Sequence, residues 1–187
     1  MTKYFAFVVI SLLLIAACGS DDDPILINEE EVITDVTYTL SPVGGGDAVV
    51  LSFSDPDGDG GTAPTQIVSG NLSAGTTYEG RIQVLNSAST PPVDITTEIE
   101  DEAADHQFFF VPDPGLDVQL TYLDSDGNGD PVGLRTELRA GSFSSGNLVI
   151  ILRHEPNKAA AGVGISTPAS AGGETDIEIS FPVSIGN

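Results

Sequence analysis

From about residue 32 onward the chain alternates apolar and polar side chains in short runs, each bounded by Gly, Pro, Asn or Asp. A period of two sends successive side chains to opposite faces of an extended strand, whereas a surface helix repeats every 3.6 residues. The runs fall at 32–40, 48–54, 77–85, 93–100, 106–111, 117–123, 147–152 and 175–185, with weaker ones at 66–69 and 134–139. Eight to ten short strands at this spacing predict an all-β protein, an antiparallel β-sandwich of immunoglobulin-like architecture. The one helical stretch to be expected is a short acidic turn around residues 98–105.

Part of the pattern occurs twice. "VVLSFSDPDGDGG" (49–61) and "VQLTYLDSDGNGD" (118–130) align without a gap at an offset of 69, and residues 71–86 then align with 141–157 after a small shift. Two copies are too few for a solenoid. They imply an internally repeated hairpin, either in equivalent places of one sandwich or in two tightly packed half-domains.

The N-terminus carries a different signal. Lys3 is followed by "YFAFVVISLLLIAA", 14 residues from Tyr4 to Ala17 without a charge. That is shorter than the ~20 residues that span a bilayer as a helix, and the basic start and small-residue end are those of a signal peptide, residues 1–17. Ile15-Ala16-Ala17-Cys18 resembles the bacterial lipobox, in which the cysteine is acylated and becomes the first mature residue. Cys18 is the only cysteine, so a chain lipidated there has no disulfide and must be held by core burial or bound ions. Residues 18–30 read as the lipidated cysteine and an acidic tether, and 31–187 as the sandwich domain. Within the tether, Ser20, Asp21, Asp22 and Asp23 resemble the export signal that routes many Bacteroidetes lipoproteins to the cell surface.

All 28 acidic residues lie beyond residue 17, against five basic ones (Arg81, Arg135, Arg139, Arg153 and Lys158), a formal balance of 5 − 28 = −23. Such a surface repels nucleic acid. Its partners are cations, basic proteins or neutral molecules.

Three constellations bear on chemistry. In the repeated loop, Asp55, Asp57 and Asp59 and then Asp124, Asp126 and Asn128 set oxygen-bearing side chains at alternate positions, with glycines that let the backbone turn sharply, as suits a calcium site. Gln66 and Arg135 stand where an EF-hand would place its bidentate glutamate, so the expectation is a calcium-stiffened hairpin or a hairpin turn alone. The two histidines, His106 and His154, each bound an apolar strand and have a carboxylate beside them, Asp105 and Glu155. If their strand ends meet, they could hold zinc or another transition metal. The aromatics Tyr38, Phe53, Tyr78, Phe108, Phe109, Phe110, Tyr122, Phe143 and Phe181 read as core, and the three consecutive phenylalanines require a strand packed on both faces. No nucleophile elbow, P-loop or dinucleotide fingerprint is present, so no enzyme is expected.

"SFSDPDGDGG", "TTYEGRIQVLN", "EDEAADHQFFF", "LRHEPNK" and "GGETDIEISF", spread over most of the chain beyond residue 30, resemble a family of small flavobacterial lipoproteins often labelled "type 1 periplasmic binding fold superfamily". That label denotes a two-lobed α/β protein, and this chain departs from it in length and in its uniform strand pattern. The resemblance implies a Bacteroidetes outer-membrane setting, where lipoproteins commonly assist TonB-dependent receptors. The expected function is a non-catalytic, lipid-anchored, surface-exposed binding or accessory lipoprotein. The alternatives are a transition-metal-capture protein serving a TonB-dependent uptake receptor and a structural or adhesion component.

Overall fold

The computed structural model describes residues 32–58 and 60–186. The signal segment 1–17 and the tether 18–30, with Cys18, Ser20, Asp21, Asp22 and Asp23, lie outside the described residues, as does Asp59. Among the described residues eleven strands and two short helices follow one another as β1 (Asp35–Pro42), β2 (Val49–Ser54), β3 (Thr65–Val68), β4 (Leu72–Ser73), β5 (Thr77–Asn86), β6 (Val93–Asp94), α1 (Ile95–Asp101), β7 (His106–Pro112), β8 (Val118–Tyr122), β9 (Arg135–Ala140), β10 (Ser144–His154), α2 (Pro168–Ala171) and β11 (Glu174–Gly186). Among the described residues no helix is long and apolar enough to cross a membrane.

The strands form a sandwich of two sheets. The larger runs β3-β2-β1-β5-β9-β8, with β6 on the end of β5, and the smaller runs β4-β11-β10-β7. Every pairing is antiparallel except β4 with β11, which is parallel. Alternation assigns the faces: Val36, Tyr38 and Leu40 of β1 and Ile82 and Val84 of β5 point inward, towards Phe108 and Phe110 of β7, Leu148, Ile150 and Leu152 of β10, and Phe181 and Val183 of β11. Across the interface the Tyr38 and Phe110 rings lie 5.3 Å apart, within the range where tilted aromatic pairs attract.

Phe109 turns to the other face of β7 and is also fully buried, packed with Ile151 and Ala171 beneath the segment 155–173. The small sheet is therefore covered on both faces, as three consecutive phenylalanines require. The free edge of β7 is covered too: Phe108 N–H donates to Val132 O at 2.7 Å and Phe110 N–H to Ile165 O at 2.8 Å. Of the aromatics expected in the core, Phe143 departs, 64% exposed at the turn between β9 and β10.

The stretch 93–100 is a correction. Only Val93 and Asp94 are extended; α1 takes the rest. Ile95 and Ile99, both buried, are spaced four apart, which suits one face of a helix as well as one face of a strand. Asp94 resolves the ambiguity as the N-cap, its Oδ1 accepting the Thr96 N–H at 3.0 Å.

Both copies of the repeat are hairpins, β2–β3 and β8–β9, at opposite edges of the larger sheet. They are not equivalent. β2 is an inner strand paired on both sides, whereas β8 is the edge strand of its hairpin. Beyond the hairpins the likeness ends, since 71–86 supplies β4 and β5 to different sheets while 141–157 supplies β10. One sandwich, not two half-domains, results.

Candidate metal centre

His106 opens β7 and His154 closes β10, and antiparallel pairing sets them directly opposite each other. Both share the inward face with Phe108 and Leu152, so both are buried, at 0% and 6% exposure. Their ring centroids are 4.6 Å apart and the rings are tilted by 45°. The strand ends meet as the metal reading requires.

The nearby carboxylate is neither of those expected. Asp105 and Glu155 are exposed and are linked through the backbone, Glu155 N–H to Asp105 O at 2.7 Å. Both lie just outside the strands, Asp105 in the turn before β7 and Glu155 at a positive φ of 48° after β10, and both face solvent. Asp176 of β11 stands beside the imidazoles instead, its Oδ1 3.7 Å from His154 Nδ1 and its side chain 3% exposed.

A β-bulge places it. Thr175 pairs with Arg153 and Ile177 with Leu152, leaving Asp176 as the extra residue of β11. In unbroken register Ile177, Ile179 and Phe181 would face inward and Asp176 outward. The bulge re-aims it, a device common beside functional sites. "GGETDIEISF" carries no sign of an extra residue, so this ligand escaped sequence reasoning.

Donor atoms of His106, His154 and Asp176 all lie within 4.8 Å of one another, and among the described residues no other group of three His, Cys, Asp or Glu side chains converges in this way. Two donors on a tetrahedral Zn²⁺ stand about 3.3 Å apart, given bonds of about 2.0–2.1 Å. The three side chains would have to draw in by ~1.5 Å at most to hold the ion. Imidazole nitrogen with carboxylate oxygen suits zinc and its neighbours rather than calcium or magnesium, which take oxygen alone. His106 is oriented for this role. Its Nδ1 lies 3.2 Å from Glu102 O, and since a carbonyl can only accept, the ring donates from Nδ1, which in a neutral imidazole leaves Nε2 as the lone-pair donor.

The Asp-rich loops differ from this cluster. In the second, Asp124 accepts the N–H groups of Gly133 and Arg135, each at 2.8 Å. Asp126 Oδ1 accepts those of Asn128 at 2.9 Å and Asp130 at 3.0 Å, while its Oδ2 takes the Lys158 ammonium at 3.0 Å. Burial alone would raise the Asp126 carboxyl, but Lys158 and the two N–H groups outweigh it and hold the group below its ordinary range. Asn128 is exposed. In the first loop Asp57 Oδ2 accepts the Thr62 N–H at 3.2 Å, and Asp55 N–H donates to Thr34 O at 2.7 Å. These contacts hold both turns within the chain.

Fold and cluster together define an antiparallel β-sandwich with a buried donor set of two histidines and one carboxylate. No family model matches the chain, and neither a curated protein nor a solved structure matches it.

Proposed function

We propose that the protein is a non-catalytic, lipid-anchored outer-membrane lipoprotein that binds a transition-metal ion of the Zn²⁺ class through His106, His154 and Asp176. The observation that carries the metal reading is the convergence of these three buried side chains from three adjacent strands. Here two buried imidazoles face each other across a ladder with a buried carboxylate beside them. The membrane anchor rests on the lipobox-like Ile15-Ala16-Ala17-Cys18, and the outer-membrane setting on the resemblance to flavobacterial lipoproteins. A binding or accessory role beside a TonB-dependent receptor fits both.

Titration calorimetry of the full chain in detergent, with Zn²⁺ and with Ca²⁺, tests the metal reading. Saturable binding of one Zn²⁺ is expected, weakened at least 10-fold in His154→Ala and in Asp176→Ala and unchanged in Asp105→Ala. Zinc binding that survives both ligand substitutions, or no binding at all, would sink it. For the anchor, Cys18→Ser should move the protein from the membrane pellet to the soluble fraction, and protease added to whole cells should degrade the wild type if it faces outward.

A further inference from the structure

Two of the three ligands bracket one segment of chain. His154 is the last residue before the excursion 155–173, and Asp176 is the third residue after it. The chain leaves β10 through Glu155, which has a positive φ of 48°, and returns through Gly172 and Gly173, at 65° and 74°. A side chain at Gly173 would collide with the carbonyl of His154, so the two limbs touch at the neck. Between them the segment lies over the outer face of the small sheet, where Val163 and Ala171 cover Phe109 and Ile151.

Resting on the metal reading above, we infer that the ion is resident rather than cargo and acts as a clamp on the neck of the 155–173 segment, closing it over the Phe109–Ile151 face. All three ligands are buried, which screens the ion from solvent and slows its hand-over, and a water can fill the fourth tetrahedral position that three protein ligands leave. Bridging His154 to Asp176 also ties the two ends of a loop, which lowers the chain entropy that opening would release. His106 joins both limbs to β7, the strand whose Phe110 N–H meets Ile165 O of the same segment.

The sequence supplies a reporter. Beyond Lys3, Lys158 is the only lysine in the chain; it lies inside the segment, its ammonium held by Ala103 O at 2.6 Å and Asp126 Oδ2 at 3.0 Å. A lysine-specific protease therefore cuts the folded domain only when the segment lifts. Arg81, Arg135 and Arg139 lie within strands of the larger sheet, so cleavage at these three by an arginine-specific protease reports unfolding of the sheets, whereas Arg153, bound to Gly173 O at the neck, is left out of the comparison.

Full-chain protein in detergent, with Zn²⁺ or with chelator, is digested under native conditions by each protease in turn. Chelation is expected to speed cleavage at Lys158 at least 10-fold with much less effect at these three arginines, and Asp176→Asn to cut equally fast with or without Zn²⁺. Zinc binding by calorimetry with no change at Lys158 would overturn the clamp and leave the metal reading standing. Equal acceleration at both residue types would mean that the ion stabilises the whole sandwich, which also overturns it. Absence of zinc binding would fell the metal reading itself, and the clamp with it.

Discussion

The hydroxyls of Tyr38 and Thr136 meet 2.7 Å apart in the interior of the sandwich, both residues fully buried, and Gly80 lies beside them because a Cβ there would stand 2.5 Å from either oxygen. A polar pair in an apolar core is tolerated when each partner satisfies the other. Tyr38→Phe leaves the Thr136 hydroxyl without its partner and is expected to cost about 1–3 kcal/mol. Gly80→Ala drives a methyl group into the pair and costs about as much by overpacking. Urea unfolding of the three proteins checks this; a loss under about 0.5 kcal/mol in both variants would refute it.

Acid stability should depend on the Lys158–Asp126 pair, whose side chains are 4% and 1% exposed. Lys158→Met strands a buried carboxylate and should lower stability at neutral pH by about 3 kcal/mol. The Asp126 carboxyl is depressed in the folded state, so its contribution is fully present above the unfolded value of 3.8 and is lost as pH falls through the lowered folded value. Denaturant midpoints measured from pH 7 to pH 2 should show the gap between wild type and Lys158→Met narrowing below about pH 4. A gap constant to pH 2 would mean that the pair does not carry it.

At the alkaline end the sign reverses. Burial raises the Tyr38 and Tyr122 hydroxyls well above their ordinary value of 10.0. The neutral forms are favoured in the folded state, so their contribution is complete below pH 10 and lost as pH rises above it. Thermal melts of wild type and Tyr38→Phe should converge above that pH, and parallel curves to pH 12 would contradict the assignment.

Calcium gives a separate test of the loops. Asp124 secures two backbone N–H groups, and Asp124→Ala should cost about 2 kcal/mol without any ion being involved. Because the second loop's carboxylates already have partners, millimolar calcium is expected to act no more strongly than a ligand at its dissociation constant. Such a ligand adds ~0.4 kcal/mol, a shift of about 1–2 °C. A larger shift, abolished by Asp124→Ala, would restore a calcium site there.

Asp94 gives a local test. Asp94→Ala removes the N-cap of α1 and should lower stability by about 1 kcal/mol. Amide exchange would then rise within 95–101 and leave β1 unchanged.

Much of this architecture is legible in the chain because period-two alternation is a direct image of a half-buried strand. Nine of the ten predicted runs fall on strands, including the weak ones that became β3 and β9, and the tenth, 93–100, is mostly α1. What escaped has physical causes. β4 is two residues long and shows no period. Ile95 and Ile99 satisfy both strand and helix spacing, and the N-cap at Asp94 decides between them. Histidines at strand ends were visible as chemistry-bearing residues, but their meeting depends on register, and Asp176 depends on a bulge that leaves no mark in residue type. A carboxylate next to a histidine in sequence need not share its surroundings, as the exposed Asp105 and Glu155, in the turns that flank the two strands, demonstrate.

The described chain enters the domain through β1, which is hydrogen-bonded to β2 on one side and β5 on the other along nearly its whole length. Antiparallel ladder bonds run perpendicular to their strands. A pull on the preceding residues along the strand axis therefore loads two ladders in shear, so many bonds must yield together, whereas an edge strand could be peeled away one bond at a time. Mechanically, the molecule is gripped along an inner strand, and force arriving from the N-terminal side is spread across the larger sheet before it reaches any loop.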